Sequence, residues 1–454
     1  MTMKKMKHDV PIRLVKVLIL ILMMVAFGFV WYGYYAARAQ VHYYRRGDWV
    51  VILLFGILYY GFCRSYDAFH ISISPISEII YSQTLALIIS DFIMYVVIWL
   101  LSLYMPNAVP LLITFGVQFL ISVLWTFLAH QWYFHNFRPG RTAVIYDLRE
   151  GMESLVGEYG MEKKFHIEKV LGVEECLEKL SVLDEMDTVF LSGIHSHERN
   201  IILKYCMYQD IQVYVIPRIG DVIMGGAKKV HMFHLPMLRI DRYRPIPEYT
   251  IAKRAFDILF SGIAIVIASP FMLVTAIAIK SDGGPALYKQ KRLTKDGKEF
   301  NVLKFRSMRV DAEKDGVARL STGDKDDRIT PVGKVIRKIR FDELPQLFNI
   351  LRGDMSIVGP RPERPEIARQ YEEEMPEFRL RLQAKAGLTG YAQVYGKYNT
   401  TPYDKLLMDL TYIGTPSLWE DFKICLATVK ILFMPESTEG VAEGATTAMG
   451  GEKH

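Results

Sequence analysis

Four long apolar runs separated by short polar segments occupy the first 138 residues. Val17 to Ala37 carries no charge over 21 positions, enough helix to cross a hydrocarbon core of roughly 30 Å. The cations Lys4, Lys5, Lys7, Arg13 and Lys16 precede it. A secretory leader would have an apolar core of only about 7–15 residues followed by a small-residue cleavage site, so an uncleaved span is expected. Trp49 to Cys63, Ile79 to Met105 and Val109 to Phe134 follow, and together the runs predict a four-helix transmembrane bundle over residues 1–138. Five cations before the first run outnumber Arg38, Arg45 and Arg46 between the first two, and Arg138 and Arg141 follow the fourth. Both ends of the bundle are therefore expected in the cytoplasm. Asp91 interrupts the third run; a transport pathway would use more such residues, and a lone carboxylate is better explained by an interfacial position or a local hydrogen bond.

From Arg141 to about Asp241 the pattern changes. Short β-like runs, Thr142 to Tyr146, Thr188 to Leu191 and Gln212 to Ile216, alternate with charged helical segments such as Val173 to Leu183. This predicts an α/β, Rossmann-like domain over residues 139–245. The first strand leads into Asp147-Leu148-Arg149-Glu150-Gly151, which lacks the glycine spacing of a dinucleotide loop, and Gly225-Gly226 is expected to be a turn. The domain reads as structural or regulatory.

A fifth apolar run, Ile258 to Ile279, has Ser269-Pro270 at its centre and basic residues on both sides, Lys253 and Arg254 before, Lys280, Lys289, Lys291 and Arg292 after. Proline removes a backbone donor and clashes with the carbonyl four residues earlier, while a serine can satisfy the freed group. With positive charge marking the cytoplasmic side, the run enters the membrane and returns to the same face; an ordinary kinked span fits the same features.

Composition sharpens the picture only modestly. The net charge of +6 on 454 residues gives no argument for nucleic acid. Cys63, Cys176, Cys206 and Cys425 are widely separated, so neither a zinc site nor a disulfide framework is indicated, and a reducing, cytoplasm-facing setting fits. The tail from Glu436 to His454, rich in Gly, Thr, Ala and Glu, is expected to be disordered.

The polar motifs that carry chemistry lie after residue 280. Between Lys289 and Arg309 there are eight Lys or Arg against Asp296 and Glu299, a composition suited to anionic headgroups or phosphorylated substrates, or simply to a solvated face. Lys304 and Arg306 flank Phe305 and share one surface if the run is a strand. Asp342-Glu343 precedes the amphipathic run Leu344, Leu347, Phe348, Leu351; paired acids there ordinarily cap a helix. A carboxylate with a reference pKa of about 3.9 is also already ionised at neutral pH and can attack phosphorus without a base, and a second one beside it can hold Mg²⁺ with substrate phosphate. In Gly359-Pro360-Arg361-Pro362 the prolines fix the backbone around a guanidinium suited to bidentate phosphate contact, or make a rigid turn with a solvated Arg.

Taken in order, Lys253-Arg254-Ala255-Phe256-Asp257, the Ser269-Pro270 helix, Lys304-Phe305-Arg306-Ser307-Met308, Asp342-Glu343-Leu344-Pro345-Gln346, Gly359-Pro360-Arg361-Pro362, Gly387-Leu388-Thr389-Gly390, and Asp409 with Tyr412 resemble the bacterial sugar transferase family, the polyprenyl-phosphate glycosyl-1-phosphate transferases. The resemblance covers residues 250–434; the four spans and the Rossmann-like domain resemble the long members more loosely. It implies an α-rich monotopic catalytic domain with a re-entrant helix over 255–279, anchored in the bacterial inner membrane and facing the cytoplasm. It implies that Asp342 attacks the β-phosphorus of a UDP-sugar, releases UMP, and passes the phosphosugar to polyprenyl (undecaprenyl) phosphate in the first membrane step of exopolysaccharide, capsule or O-antigen synthesis. Glu343 would bind Mg²⁺, Arg337 would contact phosphate, and Lys304, Arg306, Arg361 and Asp409 are further substrate-binding candidates. Arg340-Phe341 stands where many relatives have Ser-Leu, a change expected to alter packing rather than chemistry. A ligand-binding membrane scaffold would need the spans and the α/β domain but not the dense motifs from Asp342 to Pro362. Neither the sugar nor the oligomeric state is fixed by the sequence; a homodimer is compatible with it.

Overall fold

In the computed structural model the described residues are 3–39, 47–281, 283–309, 328–396 and 400–432. The predicted tail, 436–454, lies outside them, as do Arg45 and Arg46. The chain divides into two compact units, Met1–Ile216 and Pro217–His454.

The first unit begins with α1 (Met3–Val30), α2 (Gly47–Ser65), α3 (Ile76–Ser102) and α4 (Val109–Asn136). All four, the first continuing to Arg38, are long and apolar enough to cross a membrane, and α9 below is a fifth; the chain is a membrane protein. In α1 the residues Ile19, Met23 and Phe27 are buried while Leu18, Ile21, Leu22 and Val25 are exposed. The four-residue spacing puts the buried set on one helical stripe, and the remaining apolar surface has the composition of a lipid-facing wall. Helix α1 packs on α2 and α4, and α3 packs on the same two. Asp91 sits buried on α3 with no hydrogen bond to either carboxylate oxygen, so the expected local hydrogen bond does not form.

The same unit continues as β1 (Gly140–Tyr146), α5 (Met152–Glu158), β2 (Phe165–Gly172), α6 (Val173–Glu178), β3 (Thr188–Ser192), α7 (Ser196–Tyr208) and β4 (Gln212–Val215). The sheet is parallel with order β2-β1-β3-β4. Ala143 and Ile145 of β1 pack with Val189, Leu191, Ile202 and Cys206 on one face, and Val144 packs with Phe190 and Val156 on the other. This double burial makes the centres of β1 and β3, Ala143–Ile145 and Val189–Leu191, continuously apolar, as in sheets covered on both sides. Strand β2 was not expected: as an edge strand its Ile167 and Lys169 are half-buried while His166 and Glu168 point outward, and a charged alternation hides its β character. The four cysteines are free.

The α/β unit ends at Ile216, short of the expected residue 245. The next segment forms α8 (Ile219–Gly225) and a hairpin of β5 (Lys228–Met232) and β6 (Leu235–Arg239). Ile219, Val222 and Tyr243 pack against the core of the second unit. Gly226, expected in a turn, is the C-cap of α8, and a Cβ there would lie 2.8 Å from the Gly414 backbone.

The second unit continues with α9 (Pro247–Lys280), β7 (Leu287–Leu293), β8 (Glu299–Phe305), α10 (Pro331–Lys338), α11 (Gln346–Arg352), β9 (Ser356–Val358), α12 (Pro365–Glu374), β10 (Gly387–Thr389), α13 (Tyr391–Tyr395), α14 (Pro402–Gly414) and α15 (Leu418–Leu432). Strands β7 and β8 form an antiparallel hairpin, and β9 pairs with β10 in parallel. Helix α9 is fastened at its polar end. Lys253 and Tyr249 donate to Asp421 Oδ2, each at 2.9 Å, and Arg254 donates to the carbonyls of Ile350 and Leu351 at the end of α11 at 2.6 and 2.8 Å. Asp257 accepts from Ser356 Oγ and the Ile357 amide at 3.1 and 2.9 Å. Within the apolar half, the carbonyl of Val266, which Pro270 leaves without an amide partner, accepts from Ser269 Oγ at 2.8 Å. Ala264 and Ile265, before Pro270, pack on the cluster of Val302, Leu347 and Ile350. Met272 and Ala276, after it, pack with Ile279 on Phe305 and Ile336.

Candidate active site

One strand and two pieces of irregular backbone meet at one carboxylate. The single turn Phe341–Glu343 carries the acidic pair and follows Arg340 in the left-handed region at φ 54°, a conformation that sharply redirects the chain after α10. Strand β8 brings Lys304, whose Nζ lies 2.8 Å from Glu343 Oε1. The segment after β9 brings Arg361, whose Nη2 lies 3.2 Å from the same oxygen. Neither acid caps the following helix: α11 starts at Gln346, and its N-cap position is Pro345, with no side-chain cap. The ordinary explanation of the pair therefore fails, and Glu343 serves as the anionic centre of a basic cluster.

The Gly359 and Gly387–Gly390 motifs are two sides of one contact. A Cβ on Gly359 would meet the Lys385 carbonyl at 2.3 Å, and one on Gly390 would meet the Gly359 carbonyl at 2.1 Å. Only glycine permits the two chains to pair this closely, and the contact sets where Arg361 emerges.

The two acids are tuned in opposite directions. Burial and the charge of Glu343 raise the Asp342 carboxyl above its ordinary value, against the pull of Lys304, Arg337 and Arg361. Burial also works against Glu343, but Lys304 and Arg361 outweigh it and hold that carboxyl well below the usual range. Glu343 is thus firmly ionised, and Asp342, which has no ion pair among the described residues, is the poised member of the pair. Lys304 and Glu343 side chains are 22% and 16% exposed, whereas Arg361 remains 45% exposed, so the cluster opens to solvent on the Arg361 side.

Arg337 lies on α10 and favours the ionised form of Asp342 through its charge. Arg306 does not join the cluster. Though it follows Lys304 by two residues, it is buried and donates to the carbonyls of Pro285 at 2.8 Å and Ile279 at 3.1 Å. It ties the end of α9 to the start of the β7–β8 hairpin, because the chain leaves the strand at Phe305. Asp409 also lies outside this cluster: it is 1% exposed, and its Oδ2 is 2.7 Å from Arg381 Nη2. Ser269 and Pro270 lie in the apolar half of α9. Phe341 packs against the Ile279, Phe305 and Ile336 cluster, while the charge of the neighbouring Arg340 helps hold the Glu343 carboxyl low. Arg292, Glu363 and Arg381 were missed by sequence reasoning, because a buried ion pair and a surface one look alike in a charged stretch.

Among the described residues no three His, Cys, Asp or Glu side chains come together as a metal site. The acidic pair supplies two carboxylates, with Oε1 of Glu343 facing two cations. Such a donor set fits Mg²⁺ where the ligand itself brings phosphate oxygens, the usual habit of that ion.

A family model described as bacterial sugar transferase matches residues 248–435. A UDP-N-acetylgalactosamine-undecaprenyl-phosphate N-acetylgalactosaminephosphotransferase of Aeromonas hydrophila is 40% identical over 234 residues, 51% of this chain and 54% of that protein. A UDP-glucose:undecaprenyl-phosphate glucose-1-phosphate transferase of Caulobacter vibrioides is 40% identical over 201 residues, 42% of this chain and 74% of that protein. The Escherichia coli protein of the same description is 38% identical over 212 residues, 45% of this chain and 44% of its own length. The chain thus spans about half the length of the first of these relatives, and less of the last.

Proposed function

The chain belongs to the bacterial sugar transferase family, and from that premise we propose that it transfers a sugar 1-phosphate from a UDP-sugar to polyprenyl phosphate, giving polyprenyl diphosphate-sugar and UMP. In the first step a carboxylate oxygen of Asp342 bonds to the β-phosphorus as the bond to the bridging oxygen breaks, and UMP leaves with that oxygen. In the second, a phosphate oxygen of the polyprenyl phosphate attacks the same phosphorus and the Asp342 carboxylate departs. Lys304, Arg361 and Arg337 offset charge on the diphosphate. Glu343 with the substrate phosphates would hold Mg²⁺, which supplies charge neutralisation at the transferring phosphoryl group.

The observation that carries this reading is the unequal tuning of the acidic pair: a carboxylate left without its own ion pair stands beside one fixed by two cations. Re-entry of α9, with the catalytic domain on the cytoplasmic face of the inner membrane, is supported by the packing of residues before and after Pro270 against two hydrophobic clusters of the same unit, both of which include residues of β8. It keeps the acidic pair with cytoplasmic nucleotide sugars. The relatives are named for different sugars, N-acetylgalactosamine and glucose, so likeness leaves the sugar open. Purified protein incubated with polyprenyl phosphate, Mg²⁺ and a panel of UDP-sugars should release UMP with one of them; no release from any UDP-sugar contradicts the proposal.

A further inference from the structure

We infer that Arg381, held by Asp409, and Arg292 are positioning residues that fix the backbone carrying Arg361, so that Asp409 serves the reaction at two removes instead of touching substrate. The inference rests on the proposed role of Arg361 at the phosphates. Four consecutive carbonyls in this segment each accept a hydrogen bond from another part of the chain. Pro360 O accepts from the Gly387 amide at 2.9 Å, and Glu363 O from the Leu293 amide at 2.9 Å. Between them, Arg361 O accepts from Arg381 Nη2 at 2.9 Å and Pro362 O from Arg292 Nη1 at 3.0 Å. The carbonyl of Arg361 itself and the one that follows it are thus held by guanidinium groups.

Each clamp is itself fixed. Arg381 directs Nε and Nη2 to Asp409 Oδ2 at 2.9 and 2.7 Å and lies over the Phe378 ring at 4.8 Å. Its side chain is 6% exposed and that of Asp409 1%. Arg292 directs Nε and Nη2 to Gln290 Oε1 at 3.1 and 2.7 Å. Glu363, at the end of the segment, faces both, 3.7 Å from Arg381 and 3.8 Å from Arg292. A guanidinium can bond a carboxylate and a carbonyl at once in a fixed plane, which an ammonium cannot reproduce. Proline at 360 and 362 restricts two φ angles in the segment, and the clamps fix its carbonyls.

The test uses Arg381→Lys, which keeps the charge facing Asp409 but loses the fork, with Asp409→Asn and Arg292→Lys as second and third variants, all in the full-length protein in lipid nanodiscs. Hydrogen exchange of the peptide covering residues 356–363 should quicken in each variant while the α15 peptide is unchanged. UMP release should fall by about tenfold in Arg381→Lys, and the Arg361→Ala/Arg381→Lys double variant should be within about twofold of Arg361→Ala alone, as expected when one residue acts through the other. Exchange that stays at the wild-type rate in all three variants, or losses that multiply in the double variant, would overturn the inference. Failure of the wild-type protein to release UMP would count against the proposed function, and the exchange measurement would still decide the clamp.

Discussion

At the scale of single residues, the chemistry rests on a difference between two adjacent carboxylates. Burial opposes the ionisation of both, but Glu343 has Lys304 at 2.8 Å and Arg361 at 3.2 Å to offset it, while Asp342 feels these cations only at longer range. A nucleophile must be ionised, so the rate should decline on the acid side as Asp342 takes up a proton. Lys304→Gln removes a charge that favours the ionised form. The acid limb of the pH–rate profile should therefore move to higher pH; a limb that stays in place or moves down would show that Asp342 does not set it. The identities of the acids, Lys304 and Arg361 were legible in the sequence, because their residue types and order carry the resemblance. Their partners were not. Nothing in the run Lys304-Phe305-Arg306 says that one cation faces the carboxylates while the other turns to the Ile279 carbonyl, since that depends on where β8 ends. Asp409 is the clearest case: the sequence marks it as a motif carboxylate but not that its Oδ2 faces a buried arginine, Arg381.

At the scale of elements, the second, third and fourth apolar runs were read to within three residues of their observed ends because a helix in lipid is specified by composition, whereas α1 and α9 begin well before their apolar runs, in charged sequence. Strand β2 and the short α8 were hidden, since edge strands and seven-residue helices depend on tertiary partners. Helix α9 combines both situations. Its apolar half was evident, and its polar half is fixed by Lys253, Arg254 and Asp257, each bonded to a different element of the second unit. The proposed return of α9 to the face it entered makes a direct prediction. With the four native cysteines replaced, Glu248→Cys and Ser281→Cys, both at exposed positions, should each be labelled by an impermeant thiol reagent only from the cytoplasmic side. Labelling of position 281 from the opposite side would establish a full crossing and separate the acidic pair from its nucleotide substrate.

At the scale of the whole molecule, the division falls at Ile216 rather than near residue 245, and this changes which fragment should work. Ile219, Val222 and Tyr243 pack against the cluster built on Leu406, Leu410 and Ile424. A protein starting at Pro217 keeps them and should fold and release UMP. One starting at Tyr249 loses three partly buried side chains, each contributing on the order of 1 kcal/mol, and should unfold at a lower temperature in detergent. Equal stability of the two fragments would show that the segment adds nothing to the core, and an inert but folded 217–454 fragment would assign the first unit a part in the chemistry. The account as a whole turns on a covalent phosphosugar at Asp342. Wild-type protein given its UDP-sugar and Mg²⁺ without polyprenyl phosphate, quenched, digested and analysed by mass spectrometry, should carry a sugar-phosphate on the peptide containing Asp342. Asp342→Asn should carry none and lose about 10³-fold or more of its turnover. An adduct on another residue, or full turnover by the Asn variant, would contradict the account.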